Sequence, residues 1–539
     1  MIPPRSRVDD AAFLKPLTKE ALRDWSLEDK VGQLLMLGYR SPEQLVDYRP
    51  GGIVLFSWNI EDPEQTKKLV DGVKVQAEQR LKSPLFIATD QEGGKVLRIR
   101  RGMTLFPDAA AIGAMGDPWL AFRVGKSMGL ELASLGLNMN FAPVLDMGNA
   151  KSFLANRIWG EADAEAGAST IGFIQGLQSA RVLAVAKHFP GHGGTQMDSH
   201  LGLPRVMKSY DAIMSEDIAP FKRAIENGVQ AVMTAHVEMP AVDRGPASLS
   251  KKFLTDILRE KLGFEGLVIT DDLEMDGVAG EAKGQDREDL ALRALKAGTD
   301  MILIVWSKKR QDAIFKRLMQ AVRSGEVSEE WLENKVLRIL SVKRRYAGLG
   351  PEVDENPYWR ENLRRPESLE LVSQVTHKAI RWLAGSEKDL SAKFGARWQE
   401  HWRVFVPDTA VEGTWKGFRG GDELVYLPRK PRPAQSAAME KSLNEAIQQD
   451  KPVVVVTPPR AEFSEQLFKI IQKAMARRTT DPERSGPVLW IHQGLRPLDI
   501  QWNPESIKIG LVSLHSTSAM SLEAVKDTLR SGAPPKSRF

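Results

Sequence analysis

Short apolar, β-branched runs recur along the first part of the chain: Val31–Leu37, Gly52–Phe56, Leu85–Thr89, Leu137–Phe141, Leu183–Lys187, Ala231–Ala235, Leu267–Thr270 and Met301–Val305. Continuous apolar runs of this length suit strands buried on both faces. Between them lie segments with apolar residues at helical spacing, among them Asp211–Glu226 and Lys252–Lys261. Repeated strand–helix order predicts a parallel sheet, and eight such units predict a closed (β/α)8 barrel of the TIM type, with an open doubly wound sheet as the competitor. The polar residues favour the barrel. Asp90, Asp146, Lys187, His188, His236 and Asp271 all stand at or just past the C-terminal ends of their runs, where a barrel carries its active site.

The pattern changes at Gly350–Glu367, a polar, proline-containing stretch that reads as a linker. Further apolar runs follow at Arg403–Val406, Leu424–Leu427, Val453–Val456, Val488–His492 and Ile509–Leu514, with helical patterns at Glu367–Leu383 and Ser521–Leu529. They predict a smaller, sandwich-like C-terminal α/β domain. The expected division is thus a catalytic α/β barrel over residues 1–350, a linker over 351–366 and the second domain over 367–539. Pro428–Gln435 and Arg477–Pro487 read as exposed loops from their Pro, Arg, Thr and Gly content.

Composition adds mainly exclusions. A formal net charge of +5 over 539 residues is too small an imbalance to indicate a nucleic-acid partner. The absence of cysteine removes disulfides, thiolate metal sites and thiol nucleophiles. No apolar run reaches the roughly eighteen residues that suggest a spanning helix, and the first residues carry no signal-peptide core. A cytoplasmic protein is expected; an export signal removed beforehand, as in a secreted protein or lipoprotein, would leave the same pattern.

The densest chemistry lies in Lys187–His200, KHFPGHGGTQMDSH, at the end of the fifth run. Three histidines and an aspartate gather in a Gly- and Pro-rich loop. His188 and His192 have the spacing of a helical metal pair, but Pro190 and Gly191 oppose a helix, so no metal is expected. Asp198 and His200 flank one serine, close enough for the carboxylate to orient the imidazole and favour its charged form, which makes a tuned acid/base. A loop aspartate that merely caps backbone amides is the bland alternative. At the end of the seventh run, Asp271 and Asp272 stand side by side; a carboxylate at the tip of a buried strand is held rigidly enough to act as a nucleophile. The residues alone do not choose between the two.

KHFPGHGGTQMDSH resembles the β-N-acetylglucosaminidase branch of glycoside hydrolase family 3, whose motif reads KHFPGHGxTxxDSH; every specified position matches. The segment Ile257–Asp272, ILREKLGFEGLVITDD, is similar to that family's nucleophile segment. The resemblance implies Asp271 as nucleophile, Asp198 with His200 as acid/base, and Lys187 and His188 as sugar-binding residues. It further implies that Asp90, in TDQEGGKVLRIRRG, grips distal hydroxyls with Arg98 beside it, and that Arg157 orients the ring. Arg157 lies in NRIWG where the family usually has DRSFG, so Ile158 and Trp159 alter the pocket wall while the arginine is kept. His236 in MTAHVEMP is expected to line the pocket as a substrate-binding residue, with a satisfied core histidine as the alternative. The similarity covers roughly Leu27–Leu349 and extends more weakly to the second domain.

The implied reaction is retaining, exo-acting removal of a terminal GlcNAc through a covalent glycosyl-enzyme, with His200 acting first as acid and then as base. No cofactor or metal is implied. The expected partner is a small sugar or muropeptide, such as GlcNAc-anhydroMurNAc from peptidoglycan recycling; chitooligosaccharides are the alternative substrate. Phosphorolysis is the alternative reaction, because a neutral histidine repels phosphate less than a carboxylate would. A catalytically dead muropeptide sensor and a metal-dependent hydrolase are the remaining alternatives.

Overall fold

The computed structural model describes residues 17–148, 154, 157–160, 164–192, 202–279, 287–347, 358–378, 380–384, 403–407, 423–427, 433–448, 453–457, 488–493 and 509–514. By its internal contacts the chain divides into two units. One comprises Met1–Phe106, Gly116–Gly148 and Ile158–Leu371; the other comprises Pro107–Met115, Asn149–Arg157 and Val372–Phe539.

In the first unit, eight parallel strands close into a barrel: β1 (Leu35–Gly38), β2 (Gly52–Leu55), β3 (Phe86–Thr89), β4 (Met139–Asn140), β5 (Leu183–Phe189), β6 (Ala231–Thr234), β7 (Leu267–Asp272) and β8 (Met301–Ile304). Closure joins β8 back to β1 through Leu35↔Ile302, Met36↔Leu303 and Leu37↔Ile304, leaving no unpaired sheet edge. Leu35, Phe86, Met139, Val185, Met233, Ile269 and Leu303 are buried in one apolar cluster. The barrel predicted from the eight runs is therefore present, with shifted ends. The first strand begins at Leu35 rather than Val31, because Val31 belongs to helix α1 (Leu27–Gly32). A capping box starts that helix: Ser26 Oγ accepts from Asp29 N, and the Asp29 carboxylate accepts from Ser26 N.

The connecting helices include α2 (Pro63–Arg80), α3 (Pro118–Ser134), α4 (Ala164–Ser179), α5 (Ala219–Glu226), α6 (Glu288–Ala297), α7 (Lys308–Arg323) and α8 (Glu329–Tyr346). The single helix expected over Asp211–Glu226 is broken, with a wide π-type turn at Ile213–Asp217 before α5. Pro220 explains the break, since its ring lacks an N–H and collides with the preceding turn. Lys252–Lys261 is helical as predicted, again with π-type turns. Helices α3 and α4 pack closely: a Cβ on Gly172 would run into the Pro118 carbonyl, and one on Gly176 into that of Phe122.

Beneath the barrel, Asp300 immediately precedes β8 and is wholly buried. Its carboxylate receives Arg259 at 2.6 Å, Arg338 at 2.7 Å and the amide of Val268 at 2.9 Å. Burial works against its charge, but the two guanidinium groups outweigh burial and hold the carboxyl below its ordinary range. Lys343 of α8 is also buried, its Nζ 2.7 Å from Gln33 Oε1 and 3.1 Å from Ser83 Oγ. Burial drives that amine well below its usual pKa.

The second unit is organised on a six-stranded sheet formed by β9 (Ile380–Ala384), β10 (Arg403–Pro407), β11 (Glu423–Leu427), β12 (Val453–Thr457), β13 (Val488–Gln493) and β14 (Ile509–Leu514), in the order β9-β14-β13-β12-β10-β11. Only β9 is antiparallel, pairing Ile380↔Leu514 and Trp382↔Val512. The helix expected over Glu367–Leu383 therefore ends early: α9 (Pro366–Lys378) stops, and Ile-Arg-Trp-Leu continues as the edge strand. β-Branched and aromatic residues favour that outcome once a partner strand is available. The loop expected over Pro428–Gln435 is also shortened, because α10 (Pro433–Gln448) starts at Pro433, whose fixed φ suits a first turn. Within the expected linker, Trp359–Asn362 forms a short 3₁₀ turn. Arg477–Pro487 and Ser521–Leu529 lie outside the described residues.

Asp300→Asn removes the buried carboxylate on which the half-buried Arg259 and Arg338 converge. Breaking such a pair from one side costs about 3–5 kcal/mol, so urea unfolding should show a matching loss; an unchanged midpoint would rule out this anchoring role.

Candidate active site

The exit of β3 places Asp90 and Glu92 on the same side of an extended segment, with Gln91 facing the other way. Gln91 is fixed by Asn140 of β4, which accepts from Gln91 N at 2.9 Å and donates to its carbonyl at 2.8 Å. The chain then turns back as a short hairpin, Gln91–Gly93 against Val96–Leu97, bringing Arg98 onto Asp90 Oδ2 at 3.0 Å. The turn requires Gly93 and Gly94, whose φ values are 106° and 56°. Lys187 of β5 reaches the same group, 2.9 Å from Asp90 Oδ1 and 2.7 Å from Glu92 Oε1. Burial opposes Asp90's charge, but Lys187 and Arg98 outweigh it and hold the carboxyl well below the usual carboxylate range. The cluster is an array of donors and acceptors, suited to a ligand rich in hydroxyl groups.

Strand β5 carries one more residue than β6 between their last pairings, Ala186↔Val232 and Phe189↔Thr234. The slip coincides with Lys187 and His188. Asp146, past the end of β4, holds this turn: its Oδ2 accepts from His188 Nδ1 at 2.6 Å, and its Oδ1 accepts from His192 N at 2.5 Å. A carboxylate can only accept here, so Nδ1 carries the hydrogen and Nε2 is the atom left to meet a ligand. Burial pushes Asp146 up, yet His188 outweighs that and the carboxyl remains lowered. Gly191, at φ 126°, passes so near Asp217 that a Cβ would lie 2.8 Å from Asp217 Cβ. On the far side of residues 193–201 the chain is tied down again, with Glu238 N donating to Pro204 O and Val206 N to Glu238 O, both at 2.9 Å.

A matching slip occurs on β7, where Ile269↔Met301 is followed by Asp272↔Leu303. The extra residue separates the fates of the two neighbouring aspartates. Asp271 is partly exposed, and its Oδ1 accepts from Asp272 N at 2.8 Å. Asp272 is buried and turned toward β8, where its Oδ1 accepts from Glu274 N at 3.1 Å and Val305 N at 3.4 Å. Burial, reinforced by the charges of Glu274 and Asp271, raises the Asp272 carboxyl to about 7. His236 supports this strand end from below. Its Nε2 lies 3.0 Å from the Asp272 carbonyl and therefore donates, while Nδ1 accepts from the Ser248 hydroxyl at 2.7 Å. Burial lowers its pKa and keeps the ring neutral. Both His236 nitrogens are thus engaged inside the protein, by Ser248 and by the Asp272 carbonyl at the end of β7.

Asp90, Arg98, Lys187, His188 and Asp271 thus share the C-terminal rim of the barrel. Arg157 is described, its amide donating to Leu154 O at 2.6 Å, and it falls in the second unit. Asp198 and His200 lie outside the described residues. The sequence reading assigned no role to Glu92, although its alternation with Asp90 in TDQEGG was a usable signal. It also missed Ser248, for which the sequence offers none. Among the described residues, no three His, Asp or Glu side chains are grouped so as to hold a metal ion, and no helix is long and apolar enough to cross a membrane.

Asp272→Asn keeps the acceptor but cannot ionise. Folding raises this carboxyl, so the fold favours the protonated form and wild-type Asp272 loses that contribution as pH rises from about 4, the ordinary aspartate value, through about 7. The Tm difference should therefore move in favour of Asp272→Asn between pH 4 and about 7 and level off above; parallel Tm curves would contradict the assignment.

Comparison with known proteins agrees with this geometry. The family model described as the glycosyl hydrolase family 3 N terminal domain matches residues 26–342. A β-hexosaminidase of Methylobacillus flagellatus is 37% identical over 285 residues, spanning 52% of this chain and 80% of its own. The solved family 3 β-N-acetylglucosaminidase from Paenibacillus sp. str. FPU-7 superposes with a TM-score of 0.81 at 31% identity, covering 94% of this chain and 97% of its own. NagZ from Neisseria gonorrhoeae, solved in complex with N-trifluoroacetyl-D-glucosamine, gives 0.52 at 27% identity, covering 64% of this chain and 97% of its own. On the strength of the matched barrel and these relatives, the chain belongs to glycosyl hydrolase family 3.

Proposed function

We propose that this protein is a retaining exo-β-N-acetylglucosaminidase that removes non-reducing terminal GlcNAc from small saccharides. The observation that carries the reading is the buried Asp90–Lys187–Glu92 cluster with Arg98, on the same barrel rim as the partly exposed Asp271. Such an array binds the hydroxyls of one terminal sugar, and a strand-tip carboxylate beside it is placed for attack at the anomeric carbon. Asp271 forms the glycosyl-enzyme with inversion, and water displaces it with a second inversion, so configuration is retained. His200, oriented by Asp198, protonates the leaving oxygen and then activates the water. His188 meets the sugar through Nε2. The catalytic domain is residues 1–350 and the accessory domain 367–539. In the finer form of this reading, the substrate is a peptidoglycan fragment processed in the cytoplasm.

Side-by-side assay of aryl β-glycosides of GlcNAc, glucose and GalNAc tests the sugar specificity, with GlcNAc expected to be preferred; preference for glucose would overturn it. Asp271→Ala should lower kcat by about three orders of magnitude or more, as loss of a covalent nucleophile does. A fluorosugar trap should label the peptide at Asp271, and mass spectrometry that finds the label on Asp272 would reverse the choice.

Leaving-group dependence tests the acid/base. For His200→Ala, kcat/KM should collapse on a disaccharide but fall much less on a dinitrophenyl glycoside, whose oxygen departs without a proton. Azide should restore turnover and give the β-glycosyl azide. Equal slowing of both substrates, with no azide rescue, would remove His200 from this role.

A further inference from the structure

Apart from the rim cluster, helix α3 meets the start of α9 across a groove of about 210 Å³. Arg123, Lys126 and Ser127 line one wall, and their i, i+3, i+4 spacing puts them on a single stripe of α3. The other wall is formed by Asn362, at the end of the 3₁₀ turn, and by Arg365, Glu367 and Ser368 at the entry of α9.

Two features leave this groove rich in donors and short of acceptors. The first is charge. Arg365 Nε and Glu367 Oε2 lie 3.5 Å apart and offset each other. Arg123, which is half-buried, and Lys126 have no carboxylate within pairing distance among the described residues. Like charges one turn apart on a helix repel unless an anion lies between them. The second feature is a pair of buried hydroxyls, Ser127 Oγ and Ser368 Oγ, 2.5 Å apart. Each hydroxyl carries one hydrogen, and the single bond between them uses only one. The other makes no bond to any described residue, and both hydroxyls line the groove. Asn362 adds an amide that can also donate.

We propose that this groove binds a phosphate group, carried by inorganic phosphate or by a small phosphorylated ligand. Two unmatched cations call for a doubly charged ligand, and the spare hydroxyl hydrogen and the amide call for several acceptor oxygens; a phosphate group has both. The Arg123 guanidinium can take two of its oxygens side by side, while Lys126 acts as a point charge. None of these residues belongs to the rim cluster, so the site does not rest on the glycosidase reading.

The probe is inorganic phosphate, titrated calorimetrically into the full chain at constant ionic strength, with chloride as the counterpart. Saturable binding of phosphate, but not of chloride, is expected. The double variant Arg123→Gln/Lys126→Gln should weaken it about tenfold or more, the scale of a lost charge-assisted hydrogen bond, and Ser127→Ala should weaken it less. In phosphate-free buffer the double variant should unfold at a Tm no lower than that of the wild type, because it removes a repulsion. A lower Tm would show that the two cations are already satisfied within the protein and would count against the site. Tighter binding of a hexose 6-phosphate than of inorganic phosphate would identify a phosphorylated small molecule as the ligand; equal or weaker binding would identify phosphate itself. Absence of saturable binding, equal binding of chloride, or undiminished phosphate binding in the double variant overturns the proposal.

Discussion

The ammonium of Lys187, shared between Asp90 and Glu92, is the interaction on which the upper face of the barrel depends. It joins the exits of β3 and β5 across β4, in a setting where neither charge could remain unpaired. Asp90 is charged because Lys187 and Arg98 face it; Arg98 is in place because a glycine turn reverses the hairpin; the hairpin is level because Asn140 holds Gln91. A ligand entering this site meets hydrogen-bonding groups whose orientations are already fixed, so little ordering remains to be done on binding.

A second constraint separates two chemically identical neighbours. The register slip on β7 leaves Asp271 facing the rim and turns Asp272 into the wall against β8. Burial then raises Asp272, whereas Asp271 keeps access to solvent. Nothing in the dipeptide itself distinguishes the two residues, and no composition argument could. The same type of slip on β5 sets Lys187 and His188, so both strands that present candidate chemistry depart from regular pairing at the residues concerned.

Much of the barrel was legible because its strands are buried on both faces and therefore read as uninterrupted apolar runs. The ends were less so. Val31 looked like strand, but the Ser26–Asp29 box commits it to a helix, and Ile380–Ala384 looked like the tail of a helix until β14 offered it an edge. The charged cluster was visible as single residues at run ends; that Lys187 bridges two carboxylates depends on contacts far apart in sequence, 97 residues in the case of Asp90. His236 was legible as a residue at a run end, but its partners, Ser248 and a backbone carbonyl, are announced by no motif.

On either side of residues 193–201 the described chain is fastened to the barrel. Asp146 fixes its entry through His188 and the amide of His192, and backbone bonds from Glu238 fix its exit at Pro204 and Val206. The closure cost of a connection between two fixed points grows only with the logarithm of its length. A change of length between two such anchors therefore costs the frame little by itself. This end of the barrel acts as a socket whose two rims are held by their own bonds, whatever the length of what joins them.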